Sequence, residues 1–276
     1  MSHSNCLSDV ELSTYQHEGF LIRESVFTLA ELESFRAASE RACESARNQS
    51  SGGKTYILDN KRFVDIGHLT VQFEHQPQTE LVRVIEPVNE LEGRFSQLID
   101  DSRLVGPMRS ILAVDQLSLW TAKLNLKPAQ VGSGFGWHQD SPYWVHDSDH
   151  VDQLPNVMVT FDDASLHNGC LQVIRRSHLE GCLAGTDDGS QLGGFFTDPS
   201  CFAEQDAVAM EVPAGSLIFF SPHAIHGSGP NRSEVDRRAL IVTYQPANFA
   251  ALKSGQVRNI SLSGTGSSEI EAPTSV

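Results

Sequence analysis

From Asp115 onward the chain is cut into short apolar runs by turn-forming residues, and that spacing leaves few architectures open. The runs at 117–126, 157–161, 170–174, 208–212, 216–220 and 239–244 are each bounded by Gly, Pro, Asn or Asp. Several strand-length segments in succession, with no helical pattern between them, build a sandwich or barrel rather than alternating β-α units. The sequence ahead of them reads as helical. Ser8-Asp9-Val10-Glu11 and Thr28-Leu29-Ala30-Glu31 both have the capping-box form, in which side chains satisfy the free amides of a first turn. After the second, Leu32, Phe35, Ser39 and Ala42 share one helical face. Gly19-Phe20-Leu21-Ile22 is short enough for a strand, residues 49–53 form a Ser/Gly break expected to be a mobile loop, and 88–98 and 107–113 read as further helices. The tail from Leu252 is Ser/Gly-rich and poor in bulky groups, so it is expected to lack fixed structure. The expectation is one domain over residues 1–276, folded over about 9–250, mainly β with flanking helices.

A formal net charge of -15 argues against a nucleic-acid partner and against docking on an anionic membrane. The five cysteines are an odd number with no C-x-x-C pair, which suits reduced thiols in a cytoplasmic protein. The first twenty residues hold no apolar run of the kind a signal peptide needs, and no segment approaches the length of a membrane span.

Chemistry is concentrated in two places. Gly136-Trp137-His138-Gln139-Asp140 puts an imidazole and a carboxylate two residues apart, so in extended chain both face one point. One more histidine would complete the facial triad that leaves open positions on non-haem iron. On its own H-x-D is weak, and a surface turn with a satisfied histidine accounts for it better. The second place shifts that balance. After the apolar run 216–220 comes Ser221-Pro222-His223-Ala224-Ile225-His226-Gly227-Ser228-Gly229-Pro230-Asn231. Glycines beside His226 allow close passage of the backbone at a buried site. Arg237 follows eleven residues later, at the head of a strand that a hairpin return lays beside His226. A guanidinium there suits bidentate binding of a carboxylate.

The order H-x-D, long gap, H, then R resembles the phytanoyl-CoA dioxygenase family of iron(II)- and 2-oxoglutarate-dependent oxygenases. The likeness runs over residues 9–250. It includes LSTYQHEGFLI and FTLAELESFRAA at the start, the segment Asp162 to Leu171 (similar to D-A-x-x-x-N-G-x-L), Ser177-His178, Val212-Pro213-Ala214-Gly215, and HGSGPNRS. The resemblance implies a double-stranded β-helix, the jelly roll shared with cupins. It implies Fe(II) held by His138, Asp140 and His226, with 2-oxoglutarate as cosubstrate, O2 as oxidant and ascorbate as activator in vitro. Arg237 then matches the arginine for the distal carboxylate of 2-oxoglutarate, with Ser228 as its hydroxyl partner. Gln139 matches the middle residue of the family's H-Q-D and is expected to contact cosubstrate or substrate. The implied reaction oxidises a C–H bond of a small-molecule metabolite and releases succinate and CO2. Asp140, a small residue in related halogenases, implies hydroxylation or another oxidation rather than chlorination.

Three positions depart from the pattern. Asp65 stands where several relatives have lysine, Lys123 where a methionine lines the cosubstrate pocket, and Met158 where a tryptophan precedes the D-A segment. These changes fall where cosubstrate and substrate meet, so the acyl-CoA substrate is not carried over. Two other readings stay open: a jelly-roll protein that binds metal or metabolite without turnover, and a cupin-like enzyme using another metal. For the remaining candidates the blander role is expected. His223 sits on the turn; His146, His150 and His178 lie on a solvated lid. Trp137, Tyr143 and Trp144 cover substrate or pack the core, 185–195 is a flexible loop, and Lys54, Tyr56 and Arg62 lie on a surface loop.

Overall fold

The computed structural model describes residues 5–75 and 79–261. The two capping boxes act as expected: Ser8 caps α1 (Asp9–Glu18) and Thr28 caps α2 (Leu29–Ser50), each accepting from the third helical amide while Glu11 or Glu31 returns the bond. Gly19 takes the left-handed conformation that ends α1, with φ of 84°, and releases the chain into β1 (Phe20–Arg23). Only a short turn separates α2 from the next strand, so the mobile loop expected at 49–53 is absent.

The next segment departs most from expectation. Instead of a surface loop, it forms β2 (Lys54–Leu58), β3 (Lys61–Ile66), β4 (Leu69–Phe73) and β5 (Val82–Glu86), four successive antiparallel strands. The β2–β3 turn uses Asp59 and Asn60, both with positive φ, where a glycine would be the usual signal. The helix expected over 88–98 is split into a 3-10 turn and α3 (Gly93–Ile99), and α4 (Ser102–Leu112) carries Pro107 inside it.

The remaining strands are β6 (Leu117–Lys127), β7 (Phe135–His138), β8 (Asn156–Thr160), β9 (Gln172–Ile174), β10 (Ala207–Ala209), β11 (Leu217–Phe220), β12 (His226–Ser228) and β13 (Arg237–Pro246), with α5 (Ser141–Trp144) after β7. They make a major sheet in the order β1-β11-β8-β13-β6-β5-β4-β3-β2 and a minor sheet in the order β10-β9-β12-β7. Two facing antiparallel sheets of this kind are the jelly roll the sequence implies.

Alternation along the strands assigns each side chain to a layer. Leu124, Val157, Val159, Leu217, Phe219, Leu240 and Val242 face the helices and pack with Leu32, Phe35, Ala38 and Ala42 of α2. Phe35, with no exposed surface, stacks on Phe161 at 5.2 Å and meets Phe27 edge-on at 5.3 Å. Truncating it to alanine would cost about 3–5 kcal/mol through lost burial and the cavity left behind. The opposite faces look into the roll: Met158, Val173, Ile218, Phe220 and Ala239 fill one end, and the other end stays open as a cavity.

The tail expected to be without structure from Leu252 instead returns to the fold. The Leu252 amide bonds the Trp120 carbonyl, Arg258 pairs with Asp100 at 3.0 Å, and Asn259 bridges to Ser118. Ile260 packs on the helix-side core. Residues 262–276 lie outside the described residues.

Candidate active site

The open end of the roll is a cavity of about 270 Å³, walled by β3–β6 on one side and by β7, β12 and the start of β13 on the other. His138 and His226 face each other in register across β7 and β12, with ring centroids 4.2 Å apart. Asp140 lies just past β7, and its Oδ2 is 3.9 Å from His226 Nε2. Donor atoms of these three residues all lie within 4.8 Å of one another, the only such cluster of three or more among the described residues.

Local bonds hold this arrangement. His138 Nδ1 lies 2.7 Å from the Gly136 carbonyl and His226 Nδ1 lies 2.9 Å from the Ala224 carbonyl. Each carbonyl accepts only from a protonated Nδ1, which leaves Nε2 as a free lone pair. Asp140 Oδ2 accepts from Asn156 Nδ2 at 2.8 Å, and Asn156 Oδ1 accepts from the Thr243 hydroxyl at 2.6 Å. Burial, aided by His226, pushes His138 down to about 3. Burial alone would raise Asp140, but His226 and Lys123 outweigh it and hold the carboxyl below its ordinary value. Two neutral imidazoles and a carboxylate are the form in which these groups bind a metal. A metal held by three such groups would keep positions for other oxygen ligands, as non-haem iron chemistry requires. Gly227 packs tightly on β7: a Cβ there would lie 3.1 Å from both the Phe135 carbonyl and the Trp137 ring.

Deeper in the cavity, Arg237 is 3% exposed. Its Nη2 donates to the Gly169 carbonyl at 2.9 Å, and its Nε has no partner. Arg238, one residue on, faces away and pairs with Asp162 at 2.8 Å, as strand alternation requires. Opposite Arg237 in the β6–β13 register stands Lys127, which the sequence pattern does not single out. Lys127 is fully buried and donates to Ser228 Oγ at 2.8 Å and to the Gly229 carbonyl. Burial, with Arg237 nearby, pushes its amine down to about 6. Ser228 is therefore partnered by Lys127 and makes no hydrogen bond to Arg237. A buried guanidinium with a free donor, next to a second basic group, fits one carboxylate of a keto diacid whose other end reaches the triad.

Lys123 and Met158 also line the cavity. Lys123 Nζ lies 4.0 Å from Glu86 and 5.2 Å from the Trp144 ring; burial lowers its pKa, but Glu86 and Asp140 outweigh this and the net shift is upward. Gln139 does not point into the cavity. It is fully buried, its Nε2 donates to the carbonyls of Gly181 and His223, and its Oε1 accepts from Leu183. The alternation that turns His138 and Asp140 toward one point turns the residue between them outward, where it ties the 181–183 segment to the His223 turn.

Among the other candidates, Tyr143 lines the cavity while Trp144 is buried against Trp120 and Trp137 packs on Phe202. His223 is tied to Ser141 at 2.9 Å and to Asp152 at 2.7 Å, away from the triad. His150 and His178 are not on a lid: the first stacks on Phe249 and bonds Gln245, and the second bonds the Gln16 carbonyl. The segment 185–195 is no loose loop. The Asp59 carboxylate accepts from the amides of Gln191 and Leu192, which places Leu192 in the cavity wall. Lys61 and Phe63 of β3 and Gln72 of β4 line the same cavity. No helix of the described residues is long and apolar enough to cross a membrane.

Comparison with known proteins gives the same picture. The family model described as phytanoyl-CoA dioxygenase matches residues 15–239. An ectoine dioxygenase of Streptomyces avermitilis is 25% identical over 261 residues, covering 90% of this chain and 81% of its own. An ectoine dioxygenase of Halomonas elongata is 27% identical over 252 residues, covering 86% and 70%. Among solved structures, EctD from S. alaskensis with 2-oxoglutarate and 5-hydroxyectoine has a TM-score of 0.68 at 20% identity, covering 90% of this chain and 78% of that one.

Proposed function

We infer the working of the site from one premise: the chain belongs to the phytanoyl-CoA dioxygenase family. It is an Fe(II)- and 2-oxoglutarate-dependent oxygenase acting on a small molecule. We propose that His138, Asp140 and His226 hold the iron and that Arg237, with Lys127 and Ser228 beside it, holds the distal carboxylate of 2-oxoglutarate. The observation that carries this reading is the meeting of a His-Asp-His cluster and a buried guanidinium with an unpartnered Nε in one cavity.

When bound, iron, 2-oxoglutarate and O2 supply an oxidant able to remove hydrogen from an unactivated C–H bond, with succinate and CO2 as by-products. The chain's own groups do the rest. The Gly136 and Ala224 carbonyls keep each Nε2 aimed at the cluster, and Asn156 fixes the Asp140 rotamer. Tyr143, stacked on Phe195 at 4.4 Å, and Leu192 and Phe196 cover the cavity against water. Because Asp140 fills the third protein position, no place is left there for a halide, and oxidation rather than halogenation follows.

The substrate is a compact polar metabolite. A cavity of about 270 Å³ shared with 2-oxoglutarate, and lined by Lys61, Gln72, Arg83, Glu86, Lys123 and Asn125, suits such a molecule. Ectoine, named by the relatives above, is one compound to test. The first experiment follows succinate release from 2-oxoglutarate under air with purified protein, Fe(II) and ascorbate, beside His226→Ala. Turnover in the wild type and none in the variant is expected. Anaerobic addition of 2-oxoglutarate to the Fe(II) protein should raise a visible charge-transfer band. Absence of that band at saturating 2-oxoglutarate would return the metal-binding, non-oxygenase reading.

A further inference from the structure

The ladder between β4 and β5 carries one irregularity. Gln72 pairs with Val84 and the next residue, Phe73, pairs with Val82, so Arg83 is an extra residue on β5. A bulge of this kind breaks the alternation of faces and re-aims a side chain, and such bulges cluster beside active sites. Val82 and Ile85 point into the helix-side core, and Val84 and Glu86 line the cavity. Strict alternation would put Arg83 in the apolar core. The bulge turns it into the cavity wall instead, with its guanidinium 3.9 Å from the Phe135 ring centroid.

There Arg83 is 2% exposed and makes no ion pair among the described residues. Its Nη2 donates to the Gly134 carbonyl, one Nη1 contact goes to His75, and its Nε has no partner. Glu74, whose charge acts on Arg83, is occupied by the amide and hydroxyl of Ser133. Lys61, on the same wall, has its ammonium 5.1 Å over the Phe196 ring, and burial together with Arg83 lowers its pKa. A buried guanidinium left with a free donor is costly unless an acceptor arrives. Arg237 already serves the inner end of the cavity in the same way. The cavity wall thus carries two buried arginines, Arg83 on β5 and Arg237 on β13, each with an unpartnered Nε.

We propose that Arg83, with Lys61 beside it, forms the subsite for a carboxylate of the oxidised substrate, so that the substrate class is a small carboxylic acid. This rests on the reading that Arg237 and the triad take 2-oxoglutarate and the metal. Glu86, on the same strand and held by Thr121 at 2.6 Å, gives the cavity an acceptor as well, which suits a molecule carrying a polar or cationic group besides its carboxylate.

The test uses the full chain loaded with Mn(II), which is paramagnetic and does not turn over, at saturating 2-oxoglutarate. Acetate is the probe, with acetamide and methyl phosphate as controls, and methyl-proton relaxation reports their approach to the metal. Acetate should relax faster than acetamide in a saturable way. Arg83→Gln should weaken acetate binding roughly 10- to 100-fold, the loss of a hydrogen-bonded charge, while 2-oxoglutarate affinity stays within about twofold. Lys61→Gln, at a less buried position, should weaken acetate by a smaller factor. The proposal falls if acetate and acetamide relax alike in the wild type, which needs no variant. It falls if methyl phosphate is relaxed and acetate is not. It also falls if Arg83→Gln weakens 2-oxoglutarate instead, since Arg83 would then belong to the cosubstrate. Failure of 2-oxoglutarate to bind the Mn(II) protein at all is read in the loading step and refutes the reading of Arg237 and the triad instead.

Discussion

Asn156→Ala separates the ligands of the triad from what holds them. Asn156 is fully buried, and its amide donates at 2.8 Å to the Asp140 oxygen that lies nearest His226. A hydrogen bond to an ionised group contributes about 1.5–3 kcal/mol. Converted at about 1.4 kcal/mol per tenfold, its loss should weaken metal binding roughly 10- to 100-fold, the range found when outer partners of metal ligands are removed. The same change strips the Thr243 hydroxyl of its acceptor, so the metal-free protein should also lose about 1–3 kcal/mol of stability. Thr243→Val breaks only the outer link and should cost metal affinity less than Asn156→Ala. Titration with Co(II), whose visible spectrum reports its ligands, measures the affinity, and thermal unfolding in chelator measures the stability. A folded Asn156→Ala protein with Co(II) affinity within about twofold of wild type would refute the idea that Asn156 orients Asp140.

Arg237→Ala should raise the 2-oxoglutarate requirement by roughly 10- to 100-fold while Fe(II) affinity stays put; an unchanged KM for 2-oxoglutarate would exclude Arg237 from that role. Gln139→Ala should lower stability by about 2–4 kcal/mol, because three backbone groups lose a buried partner, yet leave the 2-oxoglutarate KM unaltered. A changed KM with unchanged melting would restore Gln139 to the site. Lys127 provides a pH test. Its folded pKa of about 6 lies below the unfolded value near 10.4, so between the two the unfolded chain holds a proton that the folded chain has released. Stability of the unliganded protein should therefore rise with pH across that window more steeply than in Lys127→Met. Parallel pH curves for the two proteins would show that the buried amine stays charged.

What the sequence made legible followed from simple periodicities. H-x-D in extended chain, a histidine beside small residues and an arginine at the head of a returning strand all converge in space as their spacing suggests. The capping boxes at Ser8 and Thr28 fixed two helix starts to the residue. The four strands from Lys54 to Glu86 were harder to see, because the Asp59–Asn60 turn lacks glycine and charged residues interrupt the apolar alternation. Arg83 was out of reach: only the register of β4 against β5 reveals that it is an extra residue. Lys127 hid for a related reason, since its neighbours on β13 and in the 227–229 turn are about a hundred positions away in sequence. Gln139 is the instructive miss. Strand alternation alone turns the residue between two inward-facing side chains outward, whatever the family likeness implies for it.

The pairing of β7 with β12 has a mechanical consequence. These strands share only two registered pairs, His138 with His226 and Phe135 with Ser228, and the ladder slips between them. So short a seam has little holding strength of its own, and one of its two rungs is made of the histidines themselves. An ion gripped from both sides would be a rivet through that seam. Chelation should accordingly open the rim of the roll before anything else, with amide exchange rising first along β7 and β12 while the long β6–β13 seam stays shut. A metal held there would close the vessel in which its own chemistry takes place, and an empty vessel would be a looser one.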